Sequence, residues 1–184
     1  MRGALLAIAL LGLITSTAAA QDESPRRSGI WLNLGFGWGS SDFNCDGCTT
    51  DRESGVTAQF AVGGTISPQF LIGMESNAWY KEKGGDKRLI GTSFAAAAYY
   101  YPSAEGNLFL KGGVGLASYL FDNGSLTDDQ GIGLLGGVGY DLPISDKVSI
   151  TPVATFQYGI MGDANGAQGV TQNVISIGAA FTLH

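Results

Sequence analysis

Apolar and polar residues alternate with a period of two in segment after segment of this chain. In residues 29–40, Ile30, Leu32, Leu34, Phe36 and Trp38 share one face, and Trp31, Asn33, Gly35, Gly37 and Gly39 share the other. In residues 171–183, Ile175, Ile177, Ala179, Phe181 and Leu183 face one way, while Val174, Ser176, Gly178, Ala180, Thr182 and the adjoining His184 face the other. A period of two means strands with two different environments. Eight such segments are read, near 29–40, 54–66, 70–81, 89–101, 107–120, 131–142, 147–159 and 171–183. The run Ala95–Ala98 would suit a helix on propensity alone. Pro152 lies inside the seventh segment and cannot donate to a ladder, so a bulge or a late strand start is expected there.

The connections alternate too. Those around Ser67–Gln69, Pro102–Gly106 and Pro143–Asp146 are short, whereas those around 41–53, 82–88, 121–130 and 160–170 are longer and more polar. Short turns at one end and long loops at the other mark outer-membrane barrels. An even strand number puts both ends of the wall on the short-turn side, the periplasm. Residues 1–20 carry a positive Arg2, an apolar run from Ala4 to Ile14 and the small-residue end Ala18–Ala20. That is the pattern of a cleaved signal peptide, leaving residues 21–184 as one barrel domain.

Alternation alone does not say which face is wet; composition decides. Charged residues make up 14% of the chain, against about 25% in soluble domains. Glycine contributes 29 of 184 residues, roughly twice the usual ~7%. The polar faces carry Gly, Asn, Ser, Thr and Gln rather than the Lys and Glu of a water-facing surface. Such a face suits a narrow lumen, which eight strands provide. The predicted fold is therefore all-β, an eight-stranded antiparallel up-and-down transmembrane β-barrel. Trp38, Trp79, Tyr80, Tyr119 and Phe121 toward the long loops, and Tyr99, Tyr100, Tyr101 and Tyr140 toward the short turns, are expected to form two aromatic girdles. The net charge of −6 argues against a nucleic-acid partner.

Few motifs suggest chemistry. Gly131-Ile132-Gly133-Leu134-Leu135-Gly136 fits a dinucleotide fingerprint by letter, but a polar loop precedes it and a strand follows, so no cofactor is assigned. Cys45-Asp46-Gly47-Cys48 in an exported chain is read as a disulfide closing a small loop; a redox or metal role and free thiols are the alternatives. Asp42, Asp46, Asp51 and Glu53, like Asp122, Asp128 and Asp129, lack ordered cation-ligand spacing and are read as solvated loop faces. Glu75 and Lys111 lie on the polar parity of their strands, each about five residues above a short turn, with one strand between them, or about 10 Å along the wall. A lumen salt bridge is expected, since either charge alone would be costly to bury.

Three stretches carry a family resemblance. They are Tyr99–Pro102 followed by Leu108–Gly115, then Gly136–Asp141, and then the C-terminal pattern Ser176-x-Gly178-x-x-Phe181-x-Leu183. The chain resembles small eight-stranded outer-membrane proteins of the OmpX-like and OmpA-transmembrane-domain-like group. It departs from them in ending Leu183-His184 rather than on an aromatic residue. The resemblance implies a Gram-negative outer-membrane location and a bilayer as partner. It also implies assembly by the barrel-assembly machinery, which would read Ser176, Gly178, Phe181 and Leu183. Enzymes among such barrels commonly place a His near the outer leaflet; the one His here is His184, at the other end. The expected role is thus non-catalytic, structural or surface-binding, carried by the long loops of a monomer toward an unknown surface ligand. A narrow channel for water or small ions is the alternative, and a soluble lipocalin-like barrel holding an apolar ligand is the other.

Overall fold

The computed structural model describes residues 27–45, 48–49, 51–82, 84, 88–122, 126–164 and 167–184. They form eight long strands: β1 (Ile30–Cys45), β2 (Glu53–Ser67), β3 (Phe70–Glu82), β4 (Arg88–Tyr100), β5 (Leu108–Asp122), β6 (Leu126–Tyr140), β7 (Val148–Ala164) and β8 (Ala167–Leu183). Each pairs antiparallel with its neighbour in sequence, and β8 returns to pair with β1 from Leu32↔Leu183 to Asn44↔Thr171. The sheet is therefore a closed barrel without an edge. The described residues contain no helix. The Ala95–Ala98 run is strand, flanked in register by Glu75–Ile72 on β3 and Gly115–Gly112 on β5. Pairing on both sides overrides its helical preference.

The two faces divide as alternation requires. Ile30 is 80% exposed and Trp31 2%; Leu34, Phe36 and Trp38 point outward while Asn33 points into the lumen. On β8, Ile175, Ile177, Phe181 and Leu183 are outward, and Val174, Ala180, Thr182 and His184 are buried. An outward band of Ile, Leu, Val and Phe around a closed ladder is what hydrocarbon permits.

Four details differ from the sequence reading. First, the strands run further at the polar end. β1 reaches Cys45, β5 ends at Asp122, β6 begins at Leu126, and β7 and β8 meet at Ala164↔Ala167. The expected long loops are mostly paired hairpin arms, because a ladder in water continues whatever the polarity of its side chains. Second, the aromatic residues do not all form girdles. Tyr100, Tyr140 and Trp38 face outward, but Tyr99, Tyr101 and Trp79 are buried in the lumen, since consecutive strand residues cannot share a face. Third, Pro152 causes neither a bulge in β7 nor a late start. β7 begins at Val148 and stays in register with β8 through Pro152↔Ala179. The interruption is on the other side. The β6–β7 ladder stops at Gly139↔Val153 and resumes at Leu142↔Ile150, in a short strand Leu142–Ser145. Asp141, between the two ladder segments, turns its amide to Asn107 O at 2.9 Å instead. Fourth, Gly131 and Gly133 lie within β6, not at a loop-to-strand transition, and Gly136 lies on the outward parity.

Ile177 is 68% exposed and six residues from Leu183, which puts it roughly 15 Å above the strand's end, near the middle of an apolar band of about 25 Å. Ile177→Arg should cost about 2–4 kcal/mol in lipid. Reversible unfolding in vesicles measures this, and a neutral result would mean that this face does not meet acyl chains.

Candidate functional site

The lumen is the region where chemistry could be held, and it is built from the inward parity of all eight strands. Its centre is a buried charge network. Lys111 Nζ lies 2.6 Å from Glu75 Oε1, and both side chains are fully buried. Asn77 Nδ2 donates to the same oxygen at 3.0 Å, and the Tyr99 hydroxyl donates to Oε2. By register Lys111 is opposite Tyr99 and Tyr99 opposite Leu71, four residues below Glu75. Ladder rows run obliquely in a tilted barrel, so residues in different rows reach the same height. The lysine stem crosses Gly137 on β6, where an added Cβ would sit 2.8 Å from its Cε. Two pairs further along the ladder, Phe109 lies opposite Gly139, where an added Cβ would clash with the ring. Gly137 and Gly139 thus make room for side chains of the neighbouring strand.

Beneath this network the lumen is apolar. Trp31, Leu71, Tyr99, Tyr101, Phe109 and Leu135 pack together, with the Trp31 and Tyr99 rings edge to face at 4.8 Å. The sequence reading of a lumen filled by small polar side chains missed this layer. Its signal was present in the inward parity of Trp31 and Tyr99. At the short-turn end, Asp141 is fully buried and accepts from Tyr101 (2.8 Å) and Thr151 (2.7 Å). Thr151 continues to Thr182, Asn33 and Gln59 through further hydrogen bonds of 2.7–2.8 Å. Burial pushes the Tyr101 hydroxyl well above its usual pKa, and the neighbouring Asp141 charge adds to this, so it stays a neutral donor. His184 is buried, with Nε2 3.4 Å from Asp141 Oδ2, and its amide donates to Lys147 O.

Above the network, opposite walls touch. Ser93 on β4 donates to Gln157 on β7 at 2.8 Å. Gln172 on β8 crosses to β4, where its Nε2 occupies the space beside Gly91, and donates to Ser41 at 3.3 Å. Near the outer end Trp79, Leu89 and Val174 form a second apolar cluster, with Phe43 and Tyr119 packed on it. Two small cavities of about 10 Å³ lie between these levels, each with space for about one water.

A family model described as outer membrane protein beta-barrel domain matches residues 6–182. The chain belongs to that family. A comparison with curated proteins finds no match. Among solved structures, the barrel is similar to Neisserial surface protein A, at 17% identity over 85% of this chain and 97% of that one, with a TM-score of 0.58. It is also similar to Ail, the attachment invasion locus protein of Yersinia pestis, at 12% identity over 85% and 99%, with a TM-score of 0.62. Ail in complex with the heparin analogue sucrose octasulfate gives 14% identity over 84% and 99%, with a TM-score of 0.54. At these identities the likeness is one of fold. Family membership places the chain among outer-membrane proteins of Gram-negative type.

Several sequence-predicted features fall outside the described residues. These are the signal segment 1–20, Asp46, and the side chains of Cys45, Cys48, Phe121, Asp122, Asp128 and Asp129. The Cys45 and Cys48 backbones are opposite each other across a hairpin. Ser176, Gly178, Phe181 and Leu183 all lie in β8, with Phe181 and Leu183 outward. The Asp46-Gly47 and Asn165-Gly166 dipeptides, each flanked by a paired couple, are hairpin signals that would have extended the strand limits.

Removing one member of the central pair should be costly. Glu75→Gln or Lys111→Met should each destabilise the barrel by about 3–5 kcal/mol, and the double variant should recover part of that loss. Urea unfolding in vesicles gives all three values; strict additivity would mean that the two groups do not act as a pair.

Proposed function

We propose that this outer-membrane barrel is a non-catalytic, monomeric surface protein whose ligand contacts are made by its four outer hairpins. The observation that carries this reading is the filled lumen. Side chains reach across the lumen at successive levels: Tyr101 to Asp141, Lys111 to Glu75, Ser93 to Gln157, and Gln172 to the space beside Gly91. Such packing disfavours a solute path, and the outer wall is committed to lipid. The hairpin ends are the remaining surface. His184, buried beside Asp141 at the periplasmic end, is poorly placed to act as a base at the outer leaflet.

The hairpin segments 41–53, 81–88, 122–129 and 160–170 carry ten acidic and five basic residues. That balance favours a cationic or neutral surface over a sulfated sugar such as the one Ail was solved with. On this reading the signal is removed after Ala20, and the barrel-assembly machinery recognises Ser176, Gly178, Phe181 and Leu183. In planar bilayers the purified barrel should show no unitary conductance. Intact cells producing it should adhere to polylysine-coated beads more than to heparin-coated ones, and lose this when Asp122, Asp128 and Asp129 are changed to Asn. Steady ion currents would favour a channel instead. Adhesion indifferent to the bead charge and to those substitutions would remove the surface-binding role.

Cys45 and Cys48 are proposed to form a disulfide across the tip of the β1–β2 hairpin. Opposed strand residues have Cα atoms about 4.5–5.5 Å apart, a separation that a disulfide spans. Alkylation of the exported protein before and after reduction should differ by two labelled thiols; equal labelling would show free cysteines.

A further inference from the structure

Arg27 precedes β1 and takes no part in the wall, yet it is only 4% exposed. Its side chain reaches across the short-turn mouth of the barrel. Nε donates to Pro68 O at 2.9 Å, and Nη2 donates to Ala104 O and Gly106 O, both at 2.8 Å. Those carbonyls belong to two separate connections, β2–β3 and β4–β5. The guanidinium carbon lies 3.7 Å from the centroid of the Tyr101 ring, whose hydroxyl is held by Asp141. A flat, delocalised cation with donors in a fixed fork can bond two turns and stack face-on against a ring at once; an ammonium lacks both the fork and the flat face. Gly29, at φ +78°, turns the chain between this seat and β1, and its carbonyl accepts from Thr65 N at 2.9 Å.

We infer that Arg27 and Ser28 are a strap, hinged at Gly29, that closes the periplasmic mouth, bolted by Arg27, and that it releases without dismantling the wall. The reading rests on the orientation that places both ends of the wall in the periplasm. Every hydrogen bond Arg27 makes goes to a carbonyl in a turn, not to the ladder that closes the barrel. The wall's own pairing begins beyond it, at Ile30↔Gly64 and Leu32↔Leu183. The seat is also incompletely satisfied: Arg27 Nη1 is buried without a partner. Leaving the seat returns that donor to water, which lowers the cost of release. Seated, the strap covers the Tyr101 ring, whose hydroxyl is bonded to Asp141, and ties down the 101–107 turn. Released, it exposes this ring and frees the turn.

The test uses the full mature chain folded in detergent. Glu105, exposed in the 101–107 turn, is a cleavage point for a glutamate-specific protease. Arg27→Gln should raise the cleavage rate after Glu105 at least tenfold, and Arg27→Lys should lie between it and the parent. Both should keep the heat-dependent gel mobility of a folded barrel. An unchanged cleavage rate in folded Arg27→Gln would overturn the strap. Loss of the folded band would overturn its independence from the wall. In the parent, phenylglyoxal should modify Arg27 at least tenfold more slowly than the half-exposed Arg52, whatever the variants do; comparable rates would show that Arg27 is not seated.

Discussion

Everything in this molecule depends on backbone polar groups that hydrocarbon will not solvate. A strand in a bilayer has to pair on both sides, and the pairing of β8 with β1 is what makes that possible for all eight. Closure fixes the rest. It commits one parity of each strand to lipid and the other to a narrow lumen that side chains nearly fill. The apolar face is then solvated by acyl chains, and the inner face forms the core of the described residues.

That core is solved differently at each level. At the short-turn end it is a polar floor centred on Asp141; above that it is aromatic, then ionic, then amide-bridged, then aromatic again. The glycines of β6 link these layers to the wall. Gly137 admits the stem of Lys111 and Gly139 admits the ring of Phe109, so that large groups on β5 cross the lumen where β6 has none. Pro152 contributes in the same way. By breaking the β6–β7 ladder on one side only, it leaves Asp141 free to aim its carboxylate at Tyr101 and Thr151. A residue that breaks the pairing of the wall thus helps to build its floor.

A barrel sealed in this manner has its variable chemistry at the ends. The outer hairpins rise as paired arms rather than as free loops. At the other end, chain segments outside the wall meet the turns: Arg27 from before β1 and His184 from the end of β8 both converge on the surroundings of Tyr101 and Asp141.

The sequence by itself determined the strand number, the two faces and the membrane setting. All three follow from period-two alternation and the scarcity of charge, which are local properties of the chain. It also brought Glu75 and Lys111 to one parity and one depth, because strand geometry is regular enough to count along. It did not determine how far the hairpins run, since ladder bonds ignore side-chain polarity. Nor did it reveal that Tyr99, Tyr101 and Trp79 turn inward to fill the lumen, because a girdle and a core look alike when aromatics cluster at strand ends. Arg27 was invisible as well. It lies outside every alternating segment, and its partners are the carbonyls of turns 41, 77 and 79 residues away. Only closure of the barrel brings those turns to one mouth, so only the tertiary structure could decide what Arg27 holds.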